Sequence, residues 1–260
     1  MRFQVQQVDP FAPEFADVIT CQVASFDTPY QSIFRFIYPI FGHEPEAEKQ
    51  EALTNLIELQ RQWARNDPDS IWLKTVDTHN NNRIAAALQF QIHRRNPFAA
   101  AADNAAFMTS ATWYPPGSRR EYINACLDIF NVPHERFMQR PHVYLYIGFV
   151  TPEYRDLGVA KYALQWCIRR ADELGLEAYL EAVSATGVPI FQRHGFRPYK
   201  TIKVAPKRDN ADEEWKDMED KMQPLQLCPM WRPKNGVFVP VQTQPPWDEL
   251  DVPKEKTSKL

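Results

Sequence analysis

The chain has 260 residues, 44% of them hydrophobic and 24% charged, with a formal net charge of -3. That length supports one large domain or two small ones with a sizeable core, and the composition is ordinary for a globular protein. The charge gives no reason to expect a nucleic-acid surface, and no apolar run is long enough to span a bilayer as a helix.

In chain order, residues 2–9 alternate like a strand, and the amino-terminal stretch lacks the apolar centre of a signal peptide. Residues 12–26 and 46–65 carry helical spacing. Residues 71–76 and 84–93 read as a hairpin around a polar turn. An irregular, helix-containing insertion follows over 96–140, in which Ser118 is expected to cap a helix carrying Tyr122, Ile123, Cys126, Leu127 and Phe130. The strand over 142–150 alternates, so Val143, Leu145, Ile147 and Phe149 should share one face. A helix then presents Ala160, Ala163, Leu164, Cys167, Ile168, Ala171 and Leu174 on one stripe, with Gly175 as its end signal. A strand over 177–183, a short helix over 188–194, a strand over 197–204, an acidic surface helix or loop over 209–222 and a last strand over 225–233 complete the pattern. The four cysteines are far apart with no C-x-x-C pair, and the six histidines show no H-x-x-x-H pair, so neither a disulfide framework nor a metal site is expected. His142 and His194 are expected at the surface.

The informative stretch is FVTPEYRDLGVAKYALQW, residues 149–166. A helix mouth offers unpaired N–H groups and the positive end of the macrodipole. Gly158 and Ala160 leave the amides accessible, and Arg155 adds a cation at the rim. This construction suits a pyrophosphate, and it is neither a G-x-G-x-x-G nor a Walker loop.

Arg155-x-x-Gly158-x-Ala160 after a strand resembles the acyl-CoA signature of the GNAT N-acetyltransferases. LEAVSATGVPIFQRHGF, residues 180–196, resembles the second hallmark of that family at the right distance. Residues 228–233, CPMWRP, resemble the closing strand of fungal members and of puromycin-type acetyltransferases. The resemblance covers 142–204 best and is absent from 96–140. It implies a single α/β (α+β mixed) domain over 1–236, with a bent mixed sheet flanked by helices, and an acetyl-CoA-dependent enzyme without a metal. It further implies that backbone amides of Arg155, Asp156, Leu157, Gly158, Val159 and Ala160 hold the CoA pyrophosphate. Phe149 and Val150, on the splayed strand end, would pair with the pantetheine arm and polarise the thioester carbonyl.

A tyrosine that protonates the departing thiolate in many members is Phe191 here, with Ser184, Thr186 and Tyr199 as possible substitutes. Glu181 is the first candidate general base and Tyr146 the second. The alternatives are a solvated or capping carboxylate at 181 and, for Tyr144 and Tyr146, a packed cross-strand pair. Phe34, Phe36, Tyr38, Trp113 and Tyr114 either wall an acceptor pocket or belong to the core, and the Pro-Pro-Gly flank of Trp113-Tyr114 suggests a lid. The expected acceptor is the amine of a small molecule. Acetylation of a protein amine and non-catalytic acyl-CoA binding are the alternatives. Residues 237–260 are proline-rich and polar and are expected to be a disordered tail. Its last residues, Ser258-Lys259-Leu260, spell a tripeptide read by the peroxisomal import receptor, which places the chain in the peroxisome, with the cytoplasm as the alternative.

Overall fold

The computed structural model describes residues 1–99, 110–222, 225–240 and 242–248, so the tripeptide Ser258-Lys259-Leu260 lies outside the described residues. Among the described residues eight strands form one sheet: β1 (Phe3–Val8), β2 (Ser70–Asp77), β3 (Arg83–His93), β4 (His142–Val150), β5 (Glu177–Ala182), β6 (Arg197–Pro198), β7 (Ile202–Lys203) and β8 (Gln226–Arg232). Their order is β1-β2-β3-β4-β5-β8-β6, with β7 also paired to β8. Neighbours are antiparallel except β4 and β5, which are parallel. The strand expected over 197–204 is reduced to β6 and β7. Pro198 has no amide to donate, which limits a longer ladder.

Among the described residues six α-helices flank the sheet: α1 (Phe15–Asp27), α2 (Glu46–Asn66), α3 (Ser118–Phe137), α4 (Ala160–Glu173), α5 (Gly187–Gln192) and α6 (Glu213–Lys221). The apolar stripe of α4, from Ala163 to Ala171, packs against Leu73, Phe90, Val143, Leu145 and Leu180 on one face. On the other face α1, α3 and α6 bury Phe15, Ile19, Tyr122, Leu127, Trp215 and Met218 over Trp72, Ala87, Phe149 and Leu227. The architecture is the mixed α/β sandwich that the sequence implied, with helices on both faces of a bent mixed sheet.

Several local expectations change. Helix α6 is not a surface appendage, because Trp215 and Met218 are buried. Ser118 is the first residue of α3 rather than its cap, and Gly117, at φ 139°, holds the cap position. The Ser118 hydroxyl instead donates to Asp212, which caps α6 by accepting from the Trp215 N–H at 2.9 Å. Trp113 and Tyr114 form no lid. The Trp113 indole donates to the Phe36 carbonyl at 2.8 Å and the buried Tyr114 hydroxyl to the Arg35 carbonyl at 2.6 Å, pinning the insertion to the segment after α1. Phe34, Phe36 and Tyr38 are core residues.

The alternation of β4 breaks midway. Gln89 pairs with Ile147 and Phe90 with Leu145, so Tyr146 is an extra residue without a partner on β3. Such a bulge re-aims the side chains beyond it. Val143 and Leu145 therefore face α4, whereas Ile147 and Phe149 face the opposite core with α1, and the four do not share a face.

The segment beyond β8 does not float free where it is described. Trp247 is 7% exposed and sits among Phe137, Tyr199 and Trp231, in contrast to the disordered tail expected from Pro240 onward. Trp247→Ala should lower unfolding stability by roughly 3 kcal/mol, the low end for deleting a buried Trp. Chemical denaturation measures this, and a loss below about 0.5 kcal/mol, as for an ordinary surface change, would show that the anchor is not formed.

Candidate functional site

The site begins where the sheet opens. The parallel ladder of β4 and β5 pairs His142 with Glu177, Val143 with Ala178, Tyr144 with Tyr179 and Leu145 with Leu180, and stops there. Tyr146 and Glu181 are the first residues past the last rung, so both catalytic candidates stand at the apex of the splay. Beyond it β4 continues beside β3 to Val150, and β5 continues beside β8 to Ala182.

Glu181 is neither a helix cap nor a freely solvated carboxylate. Its Oε2 accepts from the Tyr144 hydroxyl at 2.8 Å, and its Oε1 is shut off from solvent without a hydrogen-bond partner. Tyr179, two residues before it on the same face of β5, lies close, although its own hydroxyl makes no hydrogen bond of good geometry. Burial is the main cause that pushes the Glu181 carboxyl up to about 7, and the Tyr144 hydrogen bond opposes it. Burial, reinforced by the nearby Glu181 charge, pushes the Tyr144, Tyr146 and Tyr179 hydroxyls well above the ordinary phenol range. Of these groups only Glu181 can change protonation near neutral pH, which makes it a proton acceptor and leaves the tyrosines as neutral donors. Tyr146 meets Tyr144 edge-on along the same strand with ring centres 5.7 Å apart, and Tyr144 meets its cross-strand partner Tyr179 at 6.1 Å, so the cross-strand packing alternative holds for Tyr144. Sequence reading did not single out Tyr179. Its signal was the i, i+2 spacing to Glu181 on a strand.

The second part of the site is the turn between β4 and α4. Asp156 and Gly158 have positive φ, 62° and 67°, whereas Arg155 and Val159 have negative φ. Alternation of this kind curls successive amides around a concavity that suits an anion. Among the described residues, Arg155 N–H donates to Pro152 O and Tyr162 N–H to Val159 O, while no backbone–backbone turn bond uses the N–H of Asp156, Leu157, Gly158 or Val159. A Cβ at Gly158 would meet nothing within 4 Å, so the approach to its amide is open. These residues fit the pyrophosphate of an acyl-CoA.

Arg155 differs from the sequence expectation. Its guanidinium donates to the carbonyls of Thr28 and Ser25, the latter at 2.7 Å, and so ties the turn to the carboxy-terminal end of α1. A cation there also complements the helix dipole. Lys161, exposed in the first turn of α4, is a cation at the helix mouth that sequence reading did not select. Phe149 is buried against Phe26 of α1, whereas Val150 lies on the α4 side beside Tyr162. Their backbones can still face the cleft, but their side chains diverge. Phe191 packs on Phe196 and offers no proton, and Ser184 and Thr186 hydrogen-bond to each other at 3.2 Å at the start of α5.

Behind Tyr144 the structure gathers three histidines. His93 ends β3, His142 begins β4 as its direct partner, and His134 comes from α3. His142 is fully buried, contrary to its expected place at the surface.

The acetyltransferase (GNAT) family model matches residues 34–196. Among solved structures, a histone acetyltransferase and related acetyltransferase from Corynebacterium glutamicum is similar over 93% of this chain and 100% of that one, at 18% identity and TM-score 0.52. A polyamine N-acetyltransferase of Drosophila melanogaster, described as forming N-acetylagmatine, is similar over 88% and 98%, at 14% identity and TM-score 0.52. An agmatine N-acetyltransferase is similar over 89% and 99%, at 15% identity and TM-score 0.52. At these identities the likeness is one of fold. No curated protein sequence matches the chain.

Two outcomes test the site. Gly158→Glu places a carboxylate among the amides at a position that already needs positive φ. With open space around it, the strain is only about 1–2 kcal/mol. Calorimetry should show at least a tenfold loss of acetyl-CoA affinity in a folded protein, and unchanged affinity would displace the anion site. For Glu181, the base form exists above about 7, so kcat/KM should rise through that pH and level off. Glu181→Gln should lose about 10²–10⁴-fold and abolish that limb. The stability sign is opposite: a carboxyl raised in the folded state loses stability as pH rises from about 4.3 to 7. The Gln variant should therefore be the more stable protein at pH 8.

Proposed function

The chain belongs to the GNAT family of acetyltransferases and is an N-acetyltransferase, and on that premise we propose that it transfers an acetyl group from acetyl-CoA to the amine of a small molecule by direct attack in a ternary complex. The observation that carries the reading is the position of Glu181 at the apex of the β4–β5 splay, held by Tyr144 with a carboxyl raised to about 7. Acetyl-CoA supplies the activated carbonyl carbon.

The chain's own residues do four things. The amides of Asp156, Leu157, Gly158 and Val159 bind the pyrophosphate. The open edge of β4 past Tyr146 offers backbone groups to the pantetheine arm and polarises the thioester carbonyl before reaction. Glu181 accepts the proton that the amine nitrogen sheds as its bond to the carbonyl carbon forms and the C–S bond breaks. Phe191 contributes no proton, so the thiolate leaves as an anion and takes one from water, which a thiol with pKa near 8.5 tolerates. Tyr144 and Tyr179 keep the carboxylate fixed and exclude water around it.

A small amine is favoured over a protein acceptor because the base is only partly exposed, with one carboxylate oxygen shut off from solvent. Segment 31–40 is locked by the buried Arg35, which pairs with Asp27 and the Ile40 carbonyl and lies over the rings of Phe34 and Tyr38. The agmatine and polyamine acetyltransferases named above share the fold and support the same acceptor class. A link to the fungal and puromycin-type branch rests on residues 228–233 alone.

CoA release with acetyl-CoA and a panel of small amines should saturate for at least one amine, and that activity should fall by about 10²–10⁴-fold in Glu181→Gln. Phe191→Tyr should change the rate by less than about threefold, because thiolate departure needs no acid. Acetyl-CoA binding without turnover of any amine, or a gain in Phe191→Tyr approaching the 10²–10⁴-fold value of an acid, would overturn the mechanism.

A further inference from the structure

His93, His134 and His142 come from the end of β3, the last turn of α3 and the start of β4, and no sequence spacing announces them as a set. In the fold one ring nitrogen from each lies within 4.8 Å of the others. The Nε2 atoms of His134 and His142 are 2.7 Å apart. The His142 Nδ1 lies 2.7 Å from the Arg140 carbonyl oxygen, which can only accept, so that nitrogen carries the proton and the Nε2 lone pair points inward. A metal-bound imidazole is held in this way, with its second nitrogen donating to a backbone carbonyl. The walls are aromatic: Tyr179 stacks on His134 with centres 4.9 Å apart, Tyr144 lies 3.9 Å from it, and Phe98 meets it edge-on at 5.1 Å. His134 and His142 are 2% and 0% exposed, and without an ion the His134 Nε2–H donates to the His142 Nε2 lone pair, the contact that a metal would replace.

We propose that His93, His134 and His142 form a three-imidazole site for a divalent transition metal of the zinc class. Three nitrogen donors with no carboxylate among them suit zinc, cobalt, nickel or copper and disfavour magnesium and calcium, which take oxygen ligands. Tetrahedral zinc with bonds of about 2.0–2.1 Å keeps its ligand nitrogens roughly 3.3 Å apart. The His134–His142 pair must therefore open by about half an ångström, and His93 must close. The His134 ring proton moves to Nδ1, so uptake releases no proton from the ligands. The ion clamps α3 onto the sheet directly behind Tyr144, whose hydroxyl holds Glu181. It is a support for the base rather than a participant in acyl transfer.

The test uses the untagged full chain, stripped with a chelator and titrated with Zn²⁺, Co²⁺ and, as controls, Mg²⁺ and Ca²⁺. One equivalent of Zn²⁺ or Co²⁺ should bind per chain and raise Tm by several degrees, and bound Co²⁺ should show the intense visible absorption of a four-coordinate site. His93→Gln and His134→Gln should each weaken binding at least tenfold while acetyl-CoA affinity is unchanged. The retained affinity shows that the variants are folded, and the half-buried His93 decides the matter if His134→Gln does not fold. Substoichiometric Zn²⁺ and Co²⁺ in the unaltered chain, equal binding of Mg²⁺, or unchanged Zn²⁺ affinity in His93→Gln would overturn the site and leave a metal-free imidazole cluster.

Discussion

The structure depends on a parallel pairing that ends early. Strands β4 and β5 share a ladder only from His142–Glu177 to Leu145–Leu180. Each then stays with its antiparallel neighbour, β4 with β3 and β5 with β8, so the sheet bends apart instead of tearing. The bulge at Tyr146 falls at the same level. It gives β4 one extra residue and a stronger local twist, which turns the strand away from β5 and swaps its faces. The opened edges leave backbone groups for a ligand to pair with, beside a half-buried Glu181 whose Oε1 is shut off from solvent.

Burying Glu181 shows a trade between stability and function. A surface carboxylate would be ionised at neutral pH but a weak base. Desolvation raises the carboxyl to about 7, where it accepts a proton readily and still has its base form available. The same shift destabilises the fold above that pH, on the order of 3 kcal/mol for a change of this size. The Tyr144 hydrogen bond limits the penalty by favouring the charged form, and the His134 ring packs behind Tyr144.

The two halves of the site are mechanically joined. Arg155 leaves the anion turn and binds the last carbonyls of α1, and Phe149 packs on Phe26 of the same helix. The segment that follows α1 is held in turn by Arg35, Trp113 and Tyr114. Any shift of the turn is therefore passed to α1 and to the segment that follows it, through contacts that are buried or charge-assisted.

By itself the sequence determined most of the elements and marked the turn before α4 as the stretch to look at. Helical and alternating periods mark α1, α2, α4, β1 to β5 and β8, because local burial imposes them on the residues directly. Gly158 is legible because few residues other than glycine adopt positive φ beside an open amide. Glu181 was selected as a candidate, but its role stayed ambiguous, since a carboxylate on a strand looks the same whether solvated or buried. Only the tertiary structure decided that it is half-buried with one oxygen on Tyr144, that Arg155 faces α1 rather than the turn's open amides, and that Tyr146 is a bulge. Periodicity assumes an unbroken ladder, and a bulge is set by the neighbouring strand's register. The histidine cluster, the inward side of α6, the burial of Trp247 and the pinning of Trp113 and Tyr114 depend on contacts between residues far apart in the chain. Spacing along one segment carries no trace of such contacts, because each is fixed by which faces the other elements leave open.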